Sequence, residues 1–142
     1  MFEIAFEVGW FDCDANRHLK NTAFLEYAIE ARFRYFHENG FPASAFAKHQ
    51  IGPVVVKDEI TYKRELHLLD RFKVQFLSAG INESGTRNLV VNRIIRPDGE
   101  LAAEVRSMIV WFDLAARKVR VPPPELAMAI AALARTEDYA AL

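Results

Sequence analysis

Cysteine is nearly absent from this chain of 142 residues: Cys13 is the only one. No intramolecular disulfide can form, and a zinc site would have to be assembled from histidines. The four histidines, His18, His37, His49 and His67, show no HxxxH spacing, so no metal is expected. An excess of one charge is missing too: 18 Lys and Arg stand against 19 Asp and Glu, a net charge of −1. The basic surplus of a nucleic-acid binder is therefore lacking, and no nucleic-acid partner is expected. No apolar run approaches the ~20 residues of a membrane span. The N-terminus alternates Phe-Glu-Ile-Ala-Phe-Glu-Val and has no basic stretch followed by an apolar block, so no signal peptide is expected. With 6 Gly and 6 Pro there is no low-complexity tract or linker. The expectation is a soluble, cytoplasmic protein with no membrane partner and no cofactor motif.

Apolar residues make up 51% of the chain, enough to give residues 1–142 one core and one domain. Residues 2–11 alternate, with Phe2, Ile4, Phe6, Val8 and Trp10 on one face, as in a half-buried strand. Residues 22–38 have helical spacing. Phe24, Ala28, Ala31 and Tyr35 form a stripe that Leu25, Ile29 and Phe36 widen, so the helix should be largely enclosed. Asn21 is a natural N-cap and Gly40 a natural stop. A loop over 41–53 precedes strands near 54–65, 70–81, 86–96 and 100–113. A short strand, 117–121, leads through Pro122-Pro123-Pro124 to a helix over 125–135. Turns at Glu83-Ser84-Gly85 and Pro97-Asp98-Gly99 imply antiparallel pairing. One helix against one curved antiparallel sheet is an α+β arrangement.

The connection from Asp14 to Asn21 stands out chemically. It carries Asp14, Asn16, His18 and Asn21, where a turn needs one or two such residues. Asp14 is the candidate base or nucleophile, with Asn16 or His18 orienting water or a carbonyl. Each has a structural alternative: Asp14 bonding loop N–H groups, Asn16 taking a positive φ, His18 satisfied locally, Asn21 capping. Cys13, between two aspartates, should have a raised pKa and act in packing. Phe33, Phe36, Phe41, Phe46 and Ile51 could line a pocket or belong to the core. Basic residues near strand ends, among them Lys63, Arg64, Arg93, Arg96 and Arg120, could meet phosphates or simply be solvated.

Asp12-Cys13-Asp14-Ala15-Asn16-Arg17-His18-Leu19-Lys20-Asn21, followed by Phe24-Leu25-Glu26-Tyr27, resembles the hotdog-fold acyl thioesterases. The family pattern there is Asp-x-Asp-x-x-x-His-Val-Asn-Asn-x-x-Tyr. Lys20 departs from the first paired Asn and Phe24 from the Tyr. Asp14-Ala15-Asn16-Arg17-His18 with the later Tyr62-Lys63-Arg64-Glu65 also resembles the acyl-carrier-protein thioesterases of that superfamily. The resemblance, over the whole chain, implies a single hotdog unit, a long helix wrapped by a curved antiparallel sheet. It implies an enzyme without cofactor that hydrolyses an acyl-CoA or acyl-carrier-protein thioester. The implied catalytic residues are Asp14, Asn16, His18 and Glu65. Asn21, Thr22, Phe24, Tyr62 and Arg64 are the implied substrate contacts, with backbone N–H groups at the helix start holding the oxyanion. A homodimer or dimer of dimers is implied, with Asp14 from one chain and Glu65 from the other. Two alternatives remain: a hotdog hydratase-dehydratase, whose Asp-x-Asn-Pro-x-His places His one residue further on, and a non-catalytic acyl-thioester-binding module.

Overall fold

A computed structural model describes residues 1–142. Strand β1 (Glu3–Glu7) leads through a 3₁₀ turn at Trp10–Asp12 to helix α1 (Asn21–Glu38) and a short helix α2 (Ala43–His49). Strands β2 (Ile51–Tyr62), β3 (Arg71–Ile81), β4 (Arg87–Ile95), β5 (Leu101–Asp113) and β6 (Lys118–Val119) follow, then helix α3 (Pro124–Ala131). All pairings are antiparallel, in the order β1-β3-β4-β5-β2, with β6 also on β5. The curled sheet wraps α1, which is the hotdog arrangement. No helix is long and apolar enough to cross a membrane.

Small residues let α1 sink into the sheet. Ala23, Ala28 and Ala31 are fully buried on its inner face. Around them Phe24, Leu66, Phe72, Val74, Ile94 and Val105 form one core cluster. Further along, Tyr35 and Phe36 enter a second cluster with Phe41, Ile51, Phe76, Trp111 and Leu126. The outer face stays open: Ile29 and Phe33 are exposed, so α1 is half enclosed rather than largely enclosed. Of the five residues read as pocket or core, Phe36, Phe41 and Ile51 belong to this core and Phe46 packs against it, while Phe33 and Phe36 also line an apolar cavity of about 200 Å³ with Ile29, Val55 and Ile109.

Four local expectations need correction. The N-terminal alternation outlasts its strand: β1 stops at Glu7, and the 3₁₀ turn leaves Trp10 66% exposed instead of on the inner face. Residues 43–49 are helical, α2 starting directly after Pro42, whose fixed φ suits a helix start. Asn21 is the first helical residue and not the cap; Lys20 takes the N-cap position without a side-chain hydrogen bond. The left-handed position in this turn is Arg17, at φ 63°, and not Asn16, for which it was the structural alternative.

A cation lies inside this core. Arg32, on the inner face of α1, is 7% exposed. Its Nε donates to Asn92 Oδ1 of β4 at 2.7 Å, and its Nη2 donates to Ser107 Oγ of β5 at 2.7 Å. Ser107 in turn donates to Asp58 of β2. Burial pulls the guanidinium pKa down to about 10, partly offset by the charge of Asp58. The chain of bonds ties the helix to three adjacent strands. Its partners are 60 and 75 residues away, so no local pattern reveals it.

The edge of β3 is shared. Glu3–Glu7 cover residues 71–75. The C-terminal segment covers the rest: Ser78 N–H donates to Ala134 O, Ala140 N–H to Ala79 O, and Leu142 N–H to Ile81 O. Gly80 permits this, since a Cβ there would lie 2.5 Å from Ala140 O. Arg93 Nη2 donates to Glu137 Oε2 at 2.6 Å and Arg106 Nη2 to Asp138 Oδ2 at 3.0 Å, holding the segment down.

Two tests follow. Arg32→Ala leaves Asn92 Oδ1 and Ser107 Oγ without their donor and should cost about 2–4 kcal/mol in urea unfolding. A loss under about 0.5 kcal/mol would show that the network is energetically neutral. The hydrogen bond from Arg93 holds the Glu137 carboxyl down to about 2 from its ordinary 4.5. A carboxyl depressed on folding stabilises the attached segment above its unfolded pKa and loses that effect as pH falls through the folded one. Amide protection of residues 136–142 should therefore decline between pH 4.5 and about 2. Glu137→Gln should flatten that dependence.

Candidate active site

The connection after β1 is folded by its own backbone. Asp14 N–H donates to His18 O at 2.8 Å and Arg17 N–H to Asp14 O at 3.0 Å, closing a tight loop. Asp14 Oδ1 accepts the Asn16 N–H at 2.9 Å and the His18 N–H at 3.1 Å. The structural reading of Asp14 thus holds for one of its oxygens; Oδ2 receives no protein donor. Leu19 N–H donates to Leu66 O at 2.7 Å and Leu68 N–H to Arg17 O at 3.1 Å, laying the loop along residues 65–70. His18 and His67 are paired across this junction.

An open cleft of about 360 Å³ lies between the loop, the start of α1 and the end of β2. Asp14, His18 and Asn21 line one side, and Tyr62, Arg64 and Glu65 the other, with Leu19, Phe24 and Lys63 also contributing. Phe24 meets Tyr62 edge to face at 5.5 Å, and the Tyr62 hydroxyl donates to Asn21 O at 3.1 Å. Glu65 Oε2 stands 3.4 Å from His18 Nε2. Seven of the nine sequence-predicted residues therefore meet in one place: Asp14, His18, Asn21, Phe24, Tyr62, Arg64 and Glu65. Asn16 and Thr22 lie outside the lining. Within one chain Glu65 already stands beside His18, in the same cleft as Asp14.

Because Lys20 caps α1 without its side chain, the N–H groups of Asn21 and Thr22 have no acceptor in the chain. These are free donors at the positive end of an 18-residue helix. No serine, threonine or cysteine lines the cleft. The arrangement suits activation of water by a carboxylate near amide donors.

His67 is the residue that sequence reasoning missed. Its Nε2 lies 3.6 Å from Glu65 Oε2, so two imidazoles and a carboxylate converge. No spacing in the sequence sets His67 against His18; the bridge between them is made by the fold. Of the basic residues near strand ends, Arg93, Arg96 and Arg120 are engaged in ion pairs with Glu104 and Glu137, with Asp98 and with Asp113. Lys63 and Arg64 border the cleft, Arg64 also pairing with Glu100 at 3.1 Å.

Residues 8–130 match the model of the thioesterase-like superfamily. No curated protein matches the chain in sequence. Among solved structures, a Staphylococcus aureus protein in complex with CoA superposes with a TM-score of 0.85 at 19% identity, over 92% of this chain and 81% of that one. The 1,4-dihydroxy-2-naphthoyl-CoA thioesterase from Synechocystis gives 0.82 at 20% identity, over 93% and 96%. The probable thioesterase YbaW from Escherichia coli gives 0.78 at 24% identity, over 95% and 100%. At these identities the likeness is one of fold.

Cys13 belongs to the packing of the loop. Its Sγ lies 3.5 Å from Gly9 O, and it packs against the first core cluster. Burial, then the charges of Asp14 and Asp12, push its thiol pKa up. At pH 8 Cys13 should react with a disulfide reagent more slowly than a free thiol, its rate still rising above pH 9. A rate at pH 8 equal to that of free cysteine would overturn this.

Proposed function

The chain belongs to the thioesterase-like superfamily, and from that membership we propose that it hydrolyses an acyl-CoA thioester to the free acid and CoA. The observation that carries the reading is Asp14. Two backbone N–H groups hold Oδ1, and Oδ2 is left without a protein donor in a cleft that the start of α1 also lines. The thioester carbonyl lies at that helix end, where the N–H groups of Asn21 and Thr22 receive its oxygen. Oxyanion donors are each worth roughly 10²–10³ in rate. Asp14 takes a proton from water as the water oxygen attacks the carbonyl carbon. The C–S bond then breaks, and the proton passes to the departing thiolate. His18, held by Glu65, orients the water. Asn16 shapes the loop rather than touching substrate.

Lys63 and Arg64, at the cleft, suit the phosphates of CoA or of a carrier protein's phosphopantetheine arm. CoA is the favoured carrier, since a structure of the same fold holds CoA. The assembly in this reading is a pair of chains. β2 is a twelve-residue edge strand whose Val54, Val55 and Val56 are exposed, and a second copy would cover it.

Thiol release from short, medium, long and aromatic acyl-CoAs, with acyl-carrier protein alongside, tests the proposal. Wild type should hydrolyse at least one substrate. Asp14→Asn keeps an acceptor for both loop N–H groups and removes only the charge; it should lower kcat by ~10²–10⁴ without altering the melting temperature. Unchanged kcat in Asp14→Asn would move the base to Glu65. No release from any substrate would reject hydrolysis.

A further inference from the structure

We propose that His18, Glu65 and His67 form a binding site for a divalent transition cation of the Zn²⁺ class. Nothing in the sequence spacing marks it; the fold makes it. The backbone junction of residues 17–19 with 66–68 sets His18 opposite His67, their rings 4.9 Å apart at 80°. Glu65 Oε2 lies between them, 3.4 Å from His18 Nε2 and 3.6 Å from His67 Nε2. One ligand atom from each residue falls within 4.8 Å of the other two. Tetrahedral zinc, with bonds near 2.0–2.1 Å, places its ligand atoms about 3.4 Å apart. Two of the three separations already match; the third closes by rotation of side chains that are partly exposed.

The surroundings of His67 support the assignment. Its Nδ1 faces Asp70 Oδ2 at 3.5 Å, and the same oxygen accepts the His67 backbone N–H at 2.9 Å. A carboxylate behind a ligating imidazole is the arrangement that orients the ring toward a metal, here with Nε2 directed at Glu65. A cation between His67 Nε2 and Glu65 Oε2 would be held by both. His18 and Glu65 also line the cleft, so the fourth position of such an ion opens toward it. An ion there would withdraw His18 and Glu65 from water. If the chain is a thioesterase as proposed above, occupancy would therefore inhibit it.

The deciding measurement is calorimetric titration of the chelator-treated protein with Zn²⁺, and with Co²⁺ read by its visible absorption. One equivalent should bind per chain, with the intense Co²⁺ bands of tetrahedral coordination. His67→Gln, at an exposed position, should abolish the binding or weaken it at least tenfold. Asp70→Asn keeps the backbone contact and should weaken it by about 10-fold. No uptake by wild type, or the same uptake by His67→Gln, would overturn the site. Zn²⁺ should also slow wild-type hydrolysis, chelator should restore it, and His67→Gln should resist it. Absence of any hydrolysis would reject the proposed activity and leave the titration to decide the metal site.

Discussion

The depth at which α1 lies in the sheet governs the rest of the molecule. Three alanines, Ala23, Ala28 and Ala31, are fully buried on the face of α1 that packs on the sheet. A larger side chain at any of them would lift the helix, since interiors are packed with no spare volume. That depth brings Arg32 within reach of Asn92 and Ser107. It also places the first turn of α1 level with the end of β2, so that Asn21 meets Tyr62 and a cleft forms beside Asp14. The core and the candidate chemistry are consequences of one packing distance.

Asp14 shows why a structural and a chemical reading of one residue need not compete. Loop organisation uses a single oxygen. The second oxygen keeps its lone pairs, and the loop that the first one holds together gives it a fixed position. Such anchoring is the preorganisation that electrostatic catalysis depends on. The same economy appears at the start of α1, where the lack of a side-chain cap leaves amide donors beside the cleft.

What was legible in the sequence was what depends on neighbours along the chain. The strands declared themselves by alternation, α1 by its stripe, and the hairpins by Gly85 and Gly99, both of which take positive φ. The site was legible as a density of polar side chains in the connection, and Glu65 through its motif. Trp10 misled because alternation continues past the point where hydrogen bonding to β3 stops. α2 was missed because seven residues are too few to show a period. Arg32 and His67 were illegible for a deeper reason. A buried guanidinium and a surface one look the same on a helical wheel, and an imidazole pair 49 positions apart exists only once the sheet has closed.

The two edges of the sheet are unequal. β1 is five residues long and carries Glu3 and Glu7 on its exposed positions, whereas β2 runs for twelve with a valine cluster at its open side. Short, charged edges resist strand addition, and long apolar ones invite it. If two copies pair through β2 as proposed, the edges left at either end are the short, charged β1 strands, so growth would stop at two chains and no fibre could propagate.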